Sequence, residues 1–375
     1  MKIGINLLYL LPGKVGGTET YARELLGAIT TIDSQNQYYV FVNQECRDWP
    51  LPIGRNVERV VCPVFAKKQL SRYLFEQFFL PRLSKRYGIN LLHSLGYMSP
   101  LFQQTESVVS ILDILYDYPG SVPKRAALWL LQHLVALRAD HIITISQNSK
   151  KQIVSRLKVD EAKVTVTPLG PKIRGPVGRE GEVTLPQQIG SLGEYILAFS
   201  SFSESKNIPR LIEAFANVAE ELPGGMKLVV VGHSPRNGAL LRSLIDKHSI
   251  KDRVVLTGYL PDPVLAKVLR EALLFAFPSL YEGFGIPVLE AMAAGVPVIS
   301  SNAASLPEVC GDAALLFSPR DVTGIAVALK RVALDPELRA DLIAKGKRNV
   351  TRFSWEQTAR MTLDVYKSLM EKESE

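Results

Sequence analysis

The sequence predicts an α/β protein with two doubly wound domains that face a central cleft. Short apolar runs rich in Val and Ile alternate with helix-period segments along the whole chain. This alternation is typical of parallel strands buried between two helical layers and joined by right-handed crossovers. A length of 375 residues suits two domains, each with its own core. In open sheets of this kind, ligands bind beyond the carboxyl ends of the strands.

Each strand is predicted from one short apolar run. The runs in the first half are residues 2–10, 38–42, 57–62, 89–93, 107–115, 141–146 and 164–167. The runs in the second half are residues 195–200, 227–232, 254–258, 273–279, 297–301 and 313–317. The two series predict one parallel sheet in each half of the chain.

A segment rich in glycine and proline separates the two series. Residues 168–193 contain ten Gly or Pro residues, too many for a helix or a central strand. We therefore expect an N-terminal domain at residues 1–170, a linker at 171–193 and a C-terminal domain at 194–354. The chain ends in a helix-period segment at residues 355–375.

Composition excludes several classes of protein. Apolar residues make up 47% of the chain and charged residues 22%, which excludes wholesale disorder. The formal charge of +7 fits an anionic ligand, an acidic lipid surface or nucleic acid. Cys46, Cys62 and Cys310 are odd in number and form no Cys-x-x-Cys pair, so we expect a reducing compartment and neither disulfides nor a zinc site. Residues 1–11 predict a buried strand rather than a cleaved signal, and no apolar stretch reaches the roughly 18 residues that span a bilayer.

The most informative stretch is residues 278–295, which read PSLYEGFGIPVLEAMAAG. A predicted strand ends at its start, and two glycines then let the backbone approach a ligand closely. Pro287 suits the first position of a helix. The spacing predicts that Glu282 lies in the strand-to-helix loop and that Glu290 lies in the first turns of the helix.

Glu282 and Glu290 suit the recognition of a sugar. A carboxylate accepts hydrogen bonds from adjacent hydroxyls of a ribose or a hexose, and free N–H groups at a helix start bind phosphates or sugar oxygens. The alternative is an acidic helix start that only favours the macrodipole, with Glu282 solvated in the loop. The ordered combination of a strand, Glu-Gly-Phe-Gly-x-Pro and a second glutamate eight residues on favours the binding interpretation.

Two further positions suit phosphate. Lys206 lies just before a helix pattern that begins at Ile208. A cation there opposes the helix dipole, and a bound anion removes the conflict; the alternative is an exposed lysine. Gly16 and Gly17, in the loop after the first strand, either present N–H groups to a phosphate or only permit a turn.

The segment from Glu282 to Glu290 resembles the signature of two glutamates separated by seven residues in retaining GT-B glycosyltransferases of family 4. The resemblance covers nearly the whole chain. It also rests on Gly16-Gly17, residues 143–149, Thr167-Pro168-Leu169-Gly170, Lys206-Asn207, Gly258-Tyr259 and residues 305–309. It implies a GT-B fold with a Rossmann-like acceptor-side domain, a Rossmann-like nucleotide-sugar domain and a last helix, residues 355–375, that crosses back to the first domain.

The resemblance also implies roles for individual residues. Glu282 contacts the donor sugar, Glu290 the ribose, Lys206 the diphosphate, and Tyr259 borders the base. The implied donor-binding residues are Gly16, Gly17, Ser201, Lys206, Tyr259, Glu282, Gly283, Phe284, Gly285, Ile286 and Glu290. The implied catalytic residues are Glu282, Lys206 and Asp113.

Two positions depart from the family pattern. Relatives often carry His-Asp beside the reacting sugar, whereas this chain has Leu112-Asp113. Many relatives have Gly-Arg where this chain has Ser200-Ser201, which keeps a hydrogen-bonding group and loses a charge. Stabilisation of the leaving diphosphate then rests on Lys206 and backbone groups.

Together these features predict a retaining glycosyltransferase that moves a hexose from a GDP- or UDP-sugar to a saccharide or lipid-linked hydroxyl in polysaccharide or glycolipid assembly. Residues 116–119, Tyr-Asp-Tyr-Pro, are similar to mannosyl- and related transferases and favour a mannosyltransferase. No Asp-x-Asp motif occurs, so we expect neither a metal nor a cofactor. The alternatives are a nucleotide-sugar epimerase and, because of Leu112, a non-catalytic scaffold.

Residues 66–90 carry a local charge of +5, interleaved with aromatic and aliphatic residues at helical spacing. One interpretation is a helix whose apolar side packs into the first domain while its charges are solvated. The other is a surface that docks on anionic lipid and brings a lipid-linked acceptor to the cleft. No recognition motif points to nucleic acid. We expect a cytoplasmic protein, peripheral on the inner face of the membrane in the second case. His93 is interpreted as a buried structural histidine rather than a cleft residue.

Overall fold

The computed structural model describes residues 1–51, 54–114, 122–172, 186–190, 192–200, 204–232 and 235–372. The chain divides into two compact units. Unit 1 consists of Met1–Leu169 together with Ser354–Glu375, and unit 2 consists of Gly170–Phe353. The predicted linker at 171–193 lies largely outside the described residues.

Unit 1 is built on a seven-stranded parallel sheet. Its strands are β1 (Lys2–Leu7), β2 (Gln37–Val42), β3 (Val57–Val61), β4 (Leu91–Ser94), β5 (Glu106–Ser110), β6 (His141–Thr144) and β7 (Val164–Val166). Their spatial order is β3-β2-β1-β4-β5-β6-β7. Chain order therefore reverses between β1 and β4, which is the switch point of a doubly wound sheet.

Unit 2 repeats this arrangement with six parallel strands. They are β8 (Tyr195–Phe199), β9 (Lys227–Val231), β10 (Val254–Gly258), β11 (Leu274–Phe277), β12 (Val298–Ser301) and β13 (Ala314–Phe317). The order β10-β9-β8-β11-β12-β13 places the switch point between β8 and β11. The four inner strands are almost continuously buried, as expected for a sheet covered on both faces, whereas the edge strands β10 and β13 are mostly half-buried.

Helices connect the strands in both units. The helices of unit 1 are α1 (Gly17–Ile32), α2 (Gln69–Phe78), α3 (Leu80–Tyr87), α4 (Val122–Arg138), α5 (Gln147–Leu157) and the C-terminal α14 (Trp355–Lys372). The helices of unit 2 are α6 (Gln187–Gly190), α7 (Ile208–Val218), α8 (Pro235–Lys247), α9 (Asp262–Arg270), α10 (Ile286–Ala293), α11 (Leu306–Cys310), α12 (Val322–Leu334) and α13 (Pro336–Val350). Within the described ranges, no helix combines the length and apolar character needed to cross a bilayer.

All thirteen apolar runs contain a strand, so the prediction of an all-parallel α/β fold is confirmed. The strand ends differ most in the fifth run, where β5 stops at Ser110 although the apolar residues continue. Ile111 and Leu112 are buried after the strand has ended, because the chain there still packs against the core. Burial of both faces therefore lengthens an apolar run beyond the strand itself.

The last helix belongs to unit 1 and packs along α1. The rings of Tyr21 and Trp355 lie 6.5 Å apart between these two helices. Tyr366 places its hydroxyl 2.6 Å from Nδ1 of His93 in β4. These contacts are buried, so α14 is part of the core of unit 1 rather than an appendage.

Helices α2 and α3 correct the first interpretation of residues 66–90. Two helices form here, and α2 turns Arg72 and Glu76 inward, which are 8% and 2% exposed, while its Tyr73 and Phe75 are half-buried against the core. The Arg72 guanidinium lies 4.0 Å from the Glu76 carboxylate and over the Tyr73 ring, which offsets the cost of burying it. The exposed side chains are Leu70, Leu74, Phe78 and Phe79. The expectation of solvated charges is therefore wrong for Arg72 and Glu76, whereas the other charged residues of the segment are exposed as expected: Lys67, Lys68, Arg82, Lys85 and Arg86.

Candidate functional site

The candidate site of unit 2 lies at its switch point. Lys206 follows β8 and Glu282 follows β11, so the two neighbouring strands deliver their loops to the same carboxyl edge. The carboxyl edge at a switch point is the usual ligand crevice of such sheets. Two oppositely charged residues 76 positions apart therefore meet where a ligand is expected.

Lys206 and Glu282 form an ion pair. Nζ of Lys206 donates a hydrogen bond to Oε1 of Glu282 at 2.6 Å, and the two side chains are only 19% and 17% exposed. The same ammonium group lies 4.9 Å from the centroid of the Phe277 ring, so one side of it is held by an aromatic face. Neither the fully solvated lysine nor the solvated glutamate of the alternative interpretations fits this geometry.

Asn207 fixes the loop that carries Lys206. Its backbone adopts a left-handed conformation with φ 57°, which asparagine tolerates better than most residues. Its buried amide donates to the carbonyl oxygens of Pro278 and Pro319, at 3.0 and 2.6 Å. The N–H of Leu280 donates to the carbonyl of Ser205 at 2.7 Å. Backbone hydrogen bonds and one side-chain amide thus hold the Lys206 loop against the Glu282 loop.

Ser305 and Gly285 shape the loop after β11. The Ser305 hydroxyl, which is buried, lies 2.8 Å from the carbonyl oxygens of both Glu282 and Phe284. Gly285 has φ 122°, and a Cβ added there would lie 2.7 Å from Cδ2 of Leu306. Only glycine fits this position without strain, so the Gly-rich loop is fixed rather than loose.

Helix α10 begins directly after Gly285, with Pro287 in its first turn as predicted. Pro287 has no N–H and the N–H of Val288 donates to the carbonyl of Gly285 at 2.9 Å, so the helix start contributes mainly its positive dipole end at the carboxyl edge of the sheet. Glu290 lies on this helix and is 6% exposed. A glutamate is seldom buried to this extent in proteins, so Glu290 differs from the solvated acidic helix start of the alternative interpretation.

The remaining predicted residue of unit 2 is Tyr259. It follows Gly258, which has φ 72° and ends β10, and its side chain is 84% exposed. An exposed aromatic ring at the carboxyl edge offers a face on which a planar base stacks. Ser201 lies outside the described residues.

In unit 1, the predicted Gly16 lies in the loop after the carboxyl end of β1, and Gly17 is the first residue of α1. Gly16 has φ 57° and caps the helix without a side-chain hydrogen bond. A Cβ added at either glycine meets no atom within 4 Å, so open space and not packing surrounds them. The backbone conformation of Gly16, rather than crowding, is what requires glycine.

Asp113 lies beyond the carboxyl end of β5, half-buried, and its carbonyl accepts a hydrogen bond from Nε2 of Gln132 at 3.0 Å. The preceding Leu112 is 5% exposed, and its carbonyl accepts from the Ser149 hydroxyl at 2.9 Å. The leucine is therefore a packed side chain. A histidine introduced at this position would have to displace that packing before it met any ligand.

His93 is a structural residue, as the sequence interpretation expects. It is fully buried in β4, and its two ring nitrogens lie 2.6 Å from the Tyr366 hydroxyl and 2.8 Å from the Ser110 hydroxyl. Burial lowers the pKa of His93 to about 3. The neutral imidazole links the last helix to the sheet and has no atom left for a ligand.

Unit 1 contains one buried polar cluster that is not predicted from the sequence. Asn6, near the carboxyl end of β1, donates to the Ser94 hydroxyl at 3.2 Å, and Arg72 and Glu76 of α2 are buried beside this edge. Burial raises the pKa of Glu76 to about 7, and the attraction of Arg72 and a contact with Asn6 offset that only in part. Helical spacing indicates an amphipathic helix but not which of its sides turns inward, so this cluster is not visible in the local sequence pattern.

The predicted residues therefore fall into two groups. Unit 2 brings together the Lys206–Glu282 pair, the loop Gly283, Phe284, Gly285 and the start of α10 with Ile286 and Glu290, and it carries Tyr259 on the loop after β10. Unit 1 carries Gly16, Gly17 and Asp113 after the carboxyl ends of its own strands. Among the residues that the structure describes, no three His, Cys, Asp or Glu side chains cluster as metal ligands would.

Comparison with solved structures identifies the fold. The fold matches sucrose-phosphate synthase from Thermosynechococcus elongatus with a TM-score of 0.79 at 19% identity, over 99% of this chain and 100% of that one. It matches Anabaena Alr3699/HepE in complex with UDP and glucose with a TM-score of 0.72 at 18% identity, over 98% and 100% of the two chains. These likenesses establish the GT-B fold.

Two models of glycosyltransferase families match the chain. Residues 15–171 match the model described as Glycosyltransferase Family 4, and residues 186–349 match Glycosyl transferases group 1. Between them the two models account for most of both units, and the chain belongs to the GT-B glycosyltransferases.

Curated relatives include mannosyltransferases. The chain is 32% identical to the O-antigen chain mannosyltransferase B of Escherichia coli over 232 residues, which is 61% of this chain and 60% of that protein. It is 29% identical to the serotype-specific mannosyltransferase WbdA of Escherichia coli over 249 residues, which is 64% of this chain and 30% of that protein. The matched region is thus less than two thirds of the length of either relative.

Proposed function

We propose that this protein is a retaining glycosyltransferase that transfers a hexose, mannose foremost, from a nucleotide-diphosphate sugar to a saccharide or lipid-linked hydroxyl. The observation that carries the proposal is the Lys206–Glu282 pair at the switch point of unit 2. The mannosyltransferase relatives favour mannose and a role in polysaccharide or glycolipid assembly. GDP- and UDP-sugars are the donors proposed.

The proposed chemistry begins with charge on the leaving group. When the glycosidic bond to the donor breaks, the nucleotide diphosphate gains negative charge. Lys206 supplies a cation, and the start of α10 supplies the positive end of a helix dipole, both at the carboxyl edge of the unit 2 sheet. No metal ion is needed in this scheme. Loss of one donor to such a charge typically costs about 100- to 1000-fold in rate.

Glu282 and Glu290 are proposed as ligands of hydroxyl groups rather than as an acid and a nucleophile. Glu282 is already hydrogen-bonded by Lys206 and has a second carboxylate oxygen for the hexose. Glu290, on α10 and buried, is proposed to bind the ribose. With no nucleophile assigned, retention follows from a front-face route in which the leaving phosphate takes the proton of the acceptor hydroxyl.

The setting proposed for the reaction is the cytoplasmic side of a membrane. The outer side of α2 and α3 exposes apolar residues beside basic ones: Leu70, Leu74, Phe78 and Phe79 beside Lys67, Lys68, Arg82 and Lys85. Apolar side chains that insert and cations that attract acidic lipid are the two contributions to interfacial binding. This surface, defined here as the α2–α3 face, would hold the enzyme near a lipid-linked acceptor.

Donor binding tests the proposal. Thermal unfolding is followed with UDP-, GDP-, ADP- and dTDP-sugars, because a ligand of the folded state raises the midpoint by mass action. One nucleotide series is expected to stabilise the wild type and to stabilise Glu290→Gln much less. The matched control is Glu221→Gln, which changes an acidic residue of unit 2 that pairs with Lys330. Absence of a shift with every donor would favour the non-catalytic scaffold.

A further inference from the structure

Unit 1 contains a cavity of about 660 Å³ at the edge of its sheet that is opposite to Asp113. Its walls come from α3, from residues 88–90 just before β4 and from residues 102–105 just before β5. It therefore opens at the amino ends of two strands whose carboxyl ends point towards the candidate catalytic residue. A volume of this size accommodates a small organic group.

The cavity combines aromatic rings with positive charge. Phe78 and Phe102 line it and are 55% and 72% exposed, although rings of this size normally find cover. Arg82 and Lys85 line it as well, and no carboxylate does. Neither cation forms an ion pair with a described residue. Two uncompensated positive charges beside exposed rings suit a ligand that is both anionic and apolar.

Two polar side chains in the wall lack partners. The amide oxygen and nitrogen of Gln103 and the hydroxyl of Thr105 are buried, and none of them hydrogen-bonds to any described residue. Buried polar groups are almost always satisfied in native proteins. These atoms have almost no accessible surface, but both residues line the cavity, so a rotation of either side chain brings its polar atoms to a ligand there.

The surroundings of the cavity are apolar and outward-facing. Arg82 keeps its guanidinium near the Phe79 ring, 6.0 Å from the centroid, and Phe79 is itself exposed. On the other side, Arg138 at the end of α4 lies 5.7 Å from the centroid of the Phe102 ring. Helix α4 exposes Leu130, Leu134 and Leu137, which share one face of the helix. Exposed apolar residues on both flanks mark a surface that meets another apolar phase.

We infer that this cavity binds the headgroup of one anionic phospholipid, with the phosphate between Arg82 and Lys85, polar headgroup atoms at Gln103 and Thr105, and the start of the acyl chains against Phe78 and Phe102. The inference rests on the proposed membrane contact of the α2–α3 face and not on the transfer reaction. It adds a discrete, stoichiometric site to a surface that otherwise acts by diffuse attraction. A zwitterionic headgroup is disfavoured, since the cavity offers no carboxylate to its ammonium group.

The test is a titration of the full chain with short-chain phospholipids below their micelle concentration, followed by calorimetry. Dihexanoyl phosphatidylglycerol is compared with dihexanoyl phosphatidylcholine and with glycerol phosphate. The variant Arg82→Ala/Lys85→Ala removes two charges from the cavity. Its matched control, Lys67→Ala/Lys68→Ala, removes two exposed charges from the same segment. The variant Thr105→Val removes only an unpartnered hydroxyl and should leave the fold intact.

We expect phosphatidylglycerol to bind with a stoichiometry of one. Binding should weaken at least tenfold in Arg82→Ala/Lys85→Ala, severalfold in Thr105→Val and less than twofold in the control. Equal affinity for glycerol phosphate would reduce the cavity to a free-phosphate site and overturn the inference. Equal affinity for phosphatidylcholine, or an equal loss in the control pair, would overturn it in favour of apolar or diffuse binding. Donor stabilisation of unit 2 is measured separately, so failure here is distinguishable from failure of the proposed transferase function.

Discussion

The ion pair between Lys206 and Glu282 predicts that one substitution has opposite effects on the free nucleotide and on the intact donor sugar. The substitution Glu282→Gln keeps the shape of the side chain and removes its charge. In the resting protein Glu282 holds Lys206 at 2.6 Å, so a free nucleotide diphosphate has to compete with this carboxylate for the ammonium group. The variant should bind the free nucleotide more tightly and handle the intact donor sugar less well.

The size of the effect follows from the burial of the pair. Side chains that are 19% and 17% exposed place the pair between surface ion pairs and charged hydrogen bonds of the interior, so the competition is worth about 1 kcal/mol. That corresponds to about fivefold tighter binding of UDP or GDP to Glu282→Gln. Loss of a hydroxyl ligand in the transition state should lower transfer of the hexose by about 100-fold or more.

Calorimetric titration of the free nucleotide and a steady-state transfer assay together measure both effects. The matched control is Glu221→Gln, which neutralises an ion-paired glutamate of the same unit far along the chain, where it contacts Lys330. The control should change neither quantity. If Glu282→Gln bound the free nucleotide more weakly than the wild type, the glutamate would be positioning Lys206 rather than competing for it, and the reasoning would be refuted.

Two further predictions concern stability. Burial raises the pKa of Glu76 to about 7 from 4.5, so the folded chain retains a proton that the unfolded chain releases, and stability is lost as the pH rises through this interval, by up to about 3 kcal/mol. His93, with its pKa lowered to about 3, acts in the opposite direction and costs stability as the pH falls below about 6.5. Urea unfolding measured from pH 5 to 7.5 gives the free energy of unfolding at each pH. This free energy should fall less with rising pH in Glu76→Gln than in the wild type; the same pH dependence in both would contradict the burial of Glu76 as its cause. Gly285→Ala, whose Cβ meets Leu306 at 2.7 Å, should lower the free energy of unfolding by about 1 to 3 kcal/mol, whereas Gly193→Ala, with no neighbour within 4 Å, should not.

Much of the fold was predictable because strands that are buried on both faces of a sheet have apolar residues at most of their positions. Every strand of the two sheets overlaps one of the predicted runs, and the Gly-x-Pro signal located the start of α10 correctly. The exact ends were not predictable, as Ile111 and Leu112 show, since residues beyond a strand are also buried. An apolar run in the sequence reflects the burial of side chains and not the backbone hydrogen bonds that define the ends of a strand.

The sequence was sufficient to predict which residues belong to the candidate site, but not the contacts that these residues make with one another. The sequence singled out Lys206 and Glu282 separately, and only the order of strands in unit 2 joins them. The roles of Asn207 and Ser305, which fix the two loops through backbone carbonyls, were missed because they depend on contacts far apart in the chain. The inward position of Arg72 and Glu76 was missed for a different reason: helical spacing does not show which side of an amphipathic helix turns inward.

The most direct test of the proposed activity is product analysis with a labelled donor. The protein is incubated with labelled GDP-mannose or UDP-glucose, with and without mannoside and lipid-linked sugar acceptors. The account predicts that label moves to an acceptor hydroxyl with the anomeric configuration retained, and that Glu290→Gln lowers this transfer by about 100-fold or more. Conversion of the donor to an isomer without any acceptor, or transfer by Glu290→Gln at the wild-type rate, would contradict it.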